Sequence, residues 1–169
     1  MHNIRPATPD DVPFMADMLY EAATISYVLR GVPRPTKEEA LPPLSNERYL
    51  AAWGREGDAG VIAEDAGGEK LGAAWYRVFS LDERGNGVVA WTATPEVAIG
   101  VAEDARGRGV GRGLLDALLA QARVAGFARL VLSVNPENPA QRLYRRCGFR
   151  DLPPGNPHAG TSILMAVEL

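Results

Sequence analysis

Apolar positions along this chain switch repeatedly between helical and strand-like spacing. Val12, Met15, Met18 and Leu19 recur every three or four residues and predict a helix ending near Ala23. Thr8 stands before it as a candidate N-cap, with Asp10 and Asp11 in the first turn, where acids suit the helix dipole. Residues 2–5 predict a short first strand. Pro33, Pro35, Pro42 and Pro43 predict a loop over residues 30–43, and residues 45–53 a second short helix. Residues 61–64 and 70–79 read as strands on either side of a Gly67-Gly68 turn. Gly85-Asn86-Gly87 predicts a further turn before an aromatic-bearing stretch around Trp91. Residues 97–101 and 127–134 predict buried strands, and residues 161–168 a strand that closes the sheet. Between them, Leu114, Leu115, Leu118, Leu119 and Ala122 mark the apolar stripe of a helix, and Gly126 is placed to end it in the left-handed conformation. The elements alternate without repeats, which predicts one domain over residues 1–169.

The chain's 169 residues, 46% hydrophobic and 23% charged, are enough to bury one core without staples. Apolar runs such as residues 163–167 are far too short to cross about 30 Å of hydrocarbon. Arg5, Asp10, Asp11 and Asp17 leave no apolar signal-peptide core near the start, so a cytoplasmic protein with no membrane association is expected. Cys147 is the only cysteine, and His2 and His158 the only histidines, which argues against an internal disulfide and a His/Cys metal cluster. Charge adds an asymmetry. Residues 106–150 hold nine arginines against Asp116 and Glu137, a balance of +7 in a chain of net charge −3. A solvated basic face explains this, and so does a bound anion. A pI near 5.4 disfavours nucleic acid.

The strongest chemical signal lies where the apolar strand at 97–101 runs into a glycine-rich loop and then the Leu114 helix. Gly107, Gly109, Gly111 and Gly113 alternate at the helix start, interleaved with Arg106, Arg108 and Arg112. Glycine permits positive φ and lets a ligand approach the backbone, and the N–H groups of a helix N-terminus then face an anion. The Walker pattern is excluded, because no lysine follows Lys70. The dinucleotide pattern fails because Arg112 or Leu114 stands where its third glycine would be. A turn with purely structural meaning remains the alternative. In residues 134–149, Asn138 is a candidate N-cap, Pro139 fits the first helical position, and Gln141 stands where a capping-box partner would reach back. Ala140, Leu143, Tyr144 and Cys147 follow at helical spacing and Gly148 ends the helix. By itself this is a capped amphipathic helix, with Tyr144 at the core edge and Cys147 a small buried hydrophobe.

Together the two segments resemble the GNAT-type N-acetyltransferase superfamily. Arg106-Gly107-Arg108-Gly109-Val110-Gly111 matches its Gln/Arg-x-x-Gly-x-Gly/Ala motif. Asn138, Ala140, Leu143, Tyr144, Gly148 and Phe149 match its N-x-A-x-x-L-Y-x-x-x-G-F pattern, so the resemblance is specific over residues 96–149. It implies an α/β (α+β) fold: a mixed, mostly antiparallel sheet of about six or seven strands flanked by helices, with a splayed parallel pair holding the cofactor. It further implies acetyl-CoA as co-substrate and transfer of its acetyl group to a primary amine. Backbone groups of Ile99, Gly100 and Val101 would hold the pantetheine arm. Amides of Arg106, Gly107, Arg108, Gly109, Val110, Gly111, Arg112 and Gly113 would hold the pyrophosphate, and Asn138 would close from the other side. Tyr144 would reach the sulfur and protonate the departing thiolate, while Glu96 would take the amine's proton directly or through a water. Glu64, Asp65, Asp82 and Glu83 are weaker candidates for that base.

Tyr20, Tyr27, Tyr49, Trp53, Trp75, Tyr76 and Trp91 crowd the acidic first half, where they suit either a cationic amine or a core. The sequence does not choose among amino acid, polyamine, aminoglycoside, peptide and protein-lysine acceptors, and leaves a homodimer open. A non-catalytic acyl-CoA-binding or sensing module is the competing reading, since it would keep the glycine loop without needing Glu96 or Tyr144.

Overall fold

The structure, a computed structural model, describes residues 2–41, 48–79, 94–153 and 162–169. Seven strands form one sheet: β1 (Asn3–Pro6), β2 (Ala59–Glu64), β3 (Lys70–Arg77), β4 (Glu96–Val101), β5 (Arg129–Val134), β6 (Arg150–Asp151) and β7 (Ile163–Glu168). Their order is β1-β2-β3-β4-β5-β7-β6, and every pairing is antiparallel except β4 with β5. This is the mixed, mostly antiparallel sheet that the family resemblance implies.

Helices α1 (Val12–Arg30) and α3 (Val110–Val124) cover opposite faces of the sheet, and the side chains of β3 alternate between them. Ala73 and Trp75 join Met15, Met18, Leu50, Ile62 and Ala98 under α1. Ala74 and Tyr76 join Leu114, Leu115, Leu118 and Leu119 under α3. Each such large side chain contributes about 1.5–3 kcal/mol by leaving water. At the N-terminal end, Asp11 is buried beneath a two-pronged Arg5 contact (2.7 and 2.8 Å) and Lys70 (2.7 Å). The Arg5 hydrogen bond, opposed by burial, holds the Asp11 carboxyl well below the usual carboxylate range.

Helix α1 reaches Arg30, seven residues past the expected end. Its stop is Gly31 at φ 65°, whose N–H closes onto Tyr27 and Val28 carbonyls. The apolar stripe weakens after Ala23 because Thr24 is buried with its hydroxyl on the Tyr20 carbonyl, so periodicity under-reads the helix. The expected proline loop contains a one-turn helix, α2 (Lys37–Ala40), under a Thr36/Glu39 capping box. Within the helix expected at 45–53, residues 48–50 are helical. The expected Gly85–Gly87 turn, the Trp91 stretch, Asp82, Glu83 and His158 lie outside the described residues.

Helix α1 crosses β4 where Gly100 has no side chain. A Cβ there would stand 2.0 Å from the Met18 carbonyl oxygen, which belongs to backbone and cannot rotate away. Gly100→Ala is expected to cost about 3 kcal/mol, the upper end of ordinary overpacking. In a chain of this length that lowers the melting temperature by about 6–12 °C. A melting curve matching wild type would show that α1 does not need this contact.

Candidate active site

The parallel pair separates almost as soon as it forms. Only Glu96 and Val131 are Cα partners between β4 and β5, with the Val131 N–H donating to the Pro95 carbonyl at 3.0 Å. On the other side of β4, the Ala102 N–H donates to Leu71 at 2.9 Å. Backbone groups alternate sides along a strand. Ile99 and Val101 therefore turn their N–H and C=O groups to the open edge, while those of Ala98 and Gly100 pair with β3. An extended chain carrying amides can add to such an edge as an extra strand. Of the three residues expected to offer backbone groups, Ile99 and Val101 face the opening; Gly100 instead contributes its missing side chain.

A cleft of about 600 Å³ opens at this edge. Ile99, Gly100 and Val101 form one wall, the Arg106–Arg112 stretch the floor, and Asn138, Leu143 and Tyr144 the opposite wall. Among the expected site residues, Arg108 and Gly113 do not line it, nor does Glu96. Gly107 (φ 72°) and Gly109 (φ 84°) occupy the left-handed region, with open space where their side chains would be. Gly109 is the N-cap of α3, so the first N–H groups of that helix lack intrahelical partners at its positive end. The other two glycines serve packing. A Cβ at Gly111 would stand 3.0 Å from Leu143, and one at Gly113 would stand 2.8 Å from His2 Nε2.

The arginines divide in the same way. Arg106 donates from Nε to the Val101 carbonyl (3.1 Å) and pairs with Glu21 (2.6 Å). Arg112 pairs with Asp116 (2.7 Å), and the exposed Arg108 reaches the Asp104 carbonyl only at 3.5 Å. Glu21, Ala22 and Ile25 of α1 also line the cleft, and the sequence reading did not include them. Ala22 and Ile25 continue the spacing of Met15 and Met18, and Ile25 lies beyond the helix end expected at Ala23. Glu21 also accepts from Arg34 (2.7 Å), tying the chain after α1 to the cleft wall.

On the far wall, helix α4 spans Gln141–Arg146 and starts later than Asn138 and Pro139 predicted. The Asn138 side chain accepts from the Ala140 N–H (2.9 Å), closing a turn before the helix rather than capping it. Gln141 donates to the Pro136 carbonyl (2.5 Å) instead of completing a capping box. Tyr144 is buried against Phe149, with ring centroids 6.1 Å apart. Its hydroxyl makes no hydrogen bond among the described residues, and burial pushes its pKa well up, so the phenol stays protonated. Burial likewise raises the Cys147 thiol, an inert setting consistent with a packing role.

Glu96 stands at the closed end of the splay, on the α1 face of β4. Its carboxylate accepts from the Tyr49 hydroxyl (2.6 Å) and from the Arg48 guanidinium. The segment carrying both donors is clamped to β3. Trp75 donates to the Tyr49 carbonyl (3.3 Å), and Arg77, ion-paired with Asp58 (2.6 Å), donates to the Arg48 and Ala51 carbonyls. Among the other candidate bases, Glu64 is tied to Arg5 (2.7 Å) and Asp65 caps its own turn through Gly67 and Glu69 N–H groups. Of the aromatics, Trp75 and Tyr76 are core, and Tyr20 bonds the Pro35 carbonyl. Tyr49 is the one whose hydroxyl meets Glu96.

The chain is 38% identical over 106 residues to the L-methionine sulfoximine/L-methionine sulfone acetyltransferase of Pseudomonas aeruginosa. That match covers 62% of this chain and 58% of the relative, so the chain spans less than two thirds of it. The crystal structure of the GNAT domain of S. lividans PAT superposes with a TM-score of 0.67 at 22% identity, covering 99% of this chain and 90% of that one. PaiA N-acetyltransferase from Thermoplasma acidophilum, solved in complex with coenzyme A, superposes with a TM-score of 0.66 at 14% identity, covering 100% and 99%. At these identities the two structures speak to the fold. The family model for the acetyltransferase (GNAT) family matches residues 18–149, and the chain belongs to that family.

Proposed function

We propose that the protein transfers an acetyl group from acetyl-CoA to a primary amine of a small acceptor. One observation carries this reading: the open edge of β4, the N-terminus of α3 and Tyr144 all border the same cleft. The residues present suit acetyl-CoA. Ile99 and the Val101 N–H offer an unpaired strand edge to the pantetheine arm. The space over Gly107 and Gly109 admits a pyrophosphate onto backbone N–H groups. The arginine surplus of residues 106–150 complements its negative charges. Asn138 closes the cleft from the other wall.

The cofactor supplies an activated acetyl group; the chain supplies alignment and proton handling. A backbone N–H at the open edge, near Val101, polarises the thioester carbonyl without a special side chain. Tyr144, held protonated, donates to the sulfur as it leaves. Glu96 is the proposed base, directly or through one water. With Tyr49 on one carboxylate oxygen and Arg48 on the other, each oxygen keeps a lone pair for an incoming N–H.

The acceptor of the Pseudomonas aeruginosa relative makes L-methionine sulfone the first acceptor to try. Thiol release should follow addition of an amine to protein and acetyl-CoA. A thermal shift with acetyl-CoA but no turnover on any amine would instead mark a sensing module. Glu96→Gln should lower turnover most at low pH, where free amine is scarce, and leave the acetyl-CoA thermal shift intact. A pH–rate profile identical to wild type would assign the base elsewhere.

We further propose a cytoplasmic setting. Among the described residues no helix is long and apolar enough to cross a membrane.

A further inference from the structure

We propose that Arg48 receives a carboxylate on the acceptor, so that the favoured acceptors are zwitterionic α-amino acids rather than simple amines. This rests on Glu96 being the group that meets the amine.

Glu96 sits in a cluster of four alternating charges, Asp58, Arg77, Glu96 and Arg48. Three of them are sealed: Arg77 and Asp58 side chains are 1% exposed and Glu96 4%. Arg48 is 17% exposed. Among the described residues of this cluster, it is the one that meets solvent, so the way to Glu96 leads past a guanidinium. A purely cationic amine is repelled on that path. An amine accompanied by a carboxylate is not, because its second charge finds a partner where the first would be opposed.

The state of Arg48 fits that task. Its guanidinium lies over the rings of Phe79 (4.5 Å) and Tyr49 (5.0 Å), which leaves its edge for hydrogen bonding. One nitrogen, Nη2, donates to Glu96, while Nε is buried with no hydrogen-bond partner among the described residues. A buried N–H without an acceptor is costly, and a carboxylate meeting the guanidinium edge on two nitrogens would remove that cost. Ammonium and carboxylate sit on one carbon in an α-amino acid, a separation short enough to address neighbouring Glu96 and Arg48 together. Binding then exchanges one internal ion pair for two intermolecular ones without changing the net charge of the site. Arg77 cannot substitute, since Asp58 and two backbone carbonyls already occupy its donors.

The test compares kcat/KM for L-methionine sulfone and the common L-amino acids, each beside its decarboxylated amine. Wild type should prefer the amino acid by about 10²-fold, the scale of a hydrogen-bonded charge pair. Arg48→Gln should lower kcat/KM for the amino acid by a similar factor and raise it for the amine, as the repelling charge is gone. Should the glutamine variant fail to melt cooperatively, Arg48→Lys keeps a charge without the two-pronged edge, and the preference should fall about tenfold. A wild-type preference for amines, equal losses on both members of a pair, or an unchanged ratio would overturn the role of Arg48 while leaving acetyl transfer standing. No thiol release with any acceptor, in protein that still shows the acetyl-CoA thermal shift, would overturn both readings.

Discussion

Tyr144→Phe is expected to cut turnover by about 10²- to 10⁴-fold, the usual contribution of a positioned general acid. The substitution keeps the ring, its contact with Phe149 and its place in the core around α3 and α4. What it removes is the hydroxyl of a residue that lines the cleft, kept protonated by burial and without a hydrogen bond among the described residues. Its work is on a thiolate that exists only as the C–S bond breaks, so acetyl-CoA affinity should change little. A packing role makes the opposite forecast. Losing a hydroxyl that bonds nothing in the folded chain then leaves turnover near wild type and stability unchanged or slightly raised. Steady-state kinetics and one melting curve on this variant separate the two. Full activity would reduce Tyr144 to a packing residue.

The individual strands, helix α3 and the glycine loop are legible because each rests on a local pattern, whereas the mixed sheet and the cofactor-facing wall follow from the family resemblance of residues 96–149. Alternation along β3 and the leucine stripe of α3 are direct consequences of burying one face. The glycine-arginine loop announces itself because positive φ at Gly107 and Gly109 requires glycine whatever the surrounding fold. Yet the four alternating glycines do not share one role. Gly111 and Gly113 are small because Leu143 and His2 press on them, and those neighbours are 32 and 111 positions away. The same limit applies to Gly100, which looks like part of a ligand-binding strand and in fact admits the α1 backbone.

The opposite side of the site was hidden for a physical reason. Glu96 meets Arg48 and Tyr49 only because Trp75 and Arg77 clamp residues 48–51 onto β3, and no spacing in the chain encodes that clamp. Glu21 likewise becomes a cleft residue only because its carboxylate bridges the distant Arg34 and Arg106. Charge reading noticed the surplus of arginines but not their division. Arg106 is committed to the β4 edge and α1, Arg112 to Asp116, and it is backbone N–H groups that the cleft floor offers to a ligand. Local patterns announced the half built from backbone, and long-range contacts assemble the half built from side chains.

Gly109→Asp is expected to abolish acetyl-CoA binding in a protein that still folds. At φ 84° any L-residue at this position is strained, by about 1–2 kcal/mol. No atom lies within 4 Å of the missing Cβ, so nothing in the folded chain is pushed aside. The space that an aspartate would fill is the space assigned to the pyrophosphate, and its charge would oppose that group at the positive end of α3. Gly109→Ala provides the comparison, because it carries the same backbone strain without the charge and with far less bulk. In wild type, acetyl-CoA at 100 times its dissociation constant should stabilise the fold by about 2.7 kcal/mol. The alanine variant should keep part of that shift from a slightly lowered melting temperature, whereas the aspartate variant should show none. An undiminished shift in Gly109→Asp would mean that the pyrophosphate does not sit on this loop, and the glycines would then mark a turn and nothing more.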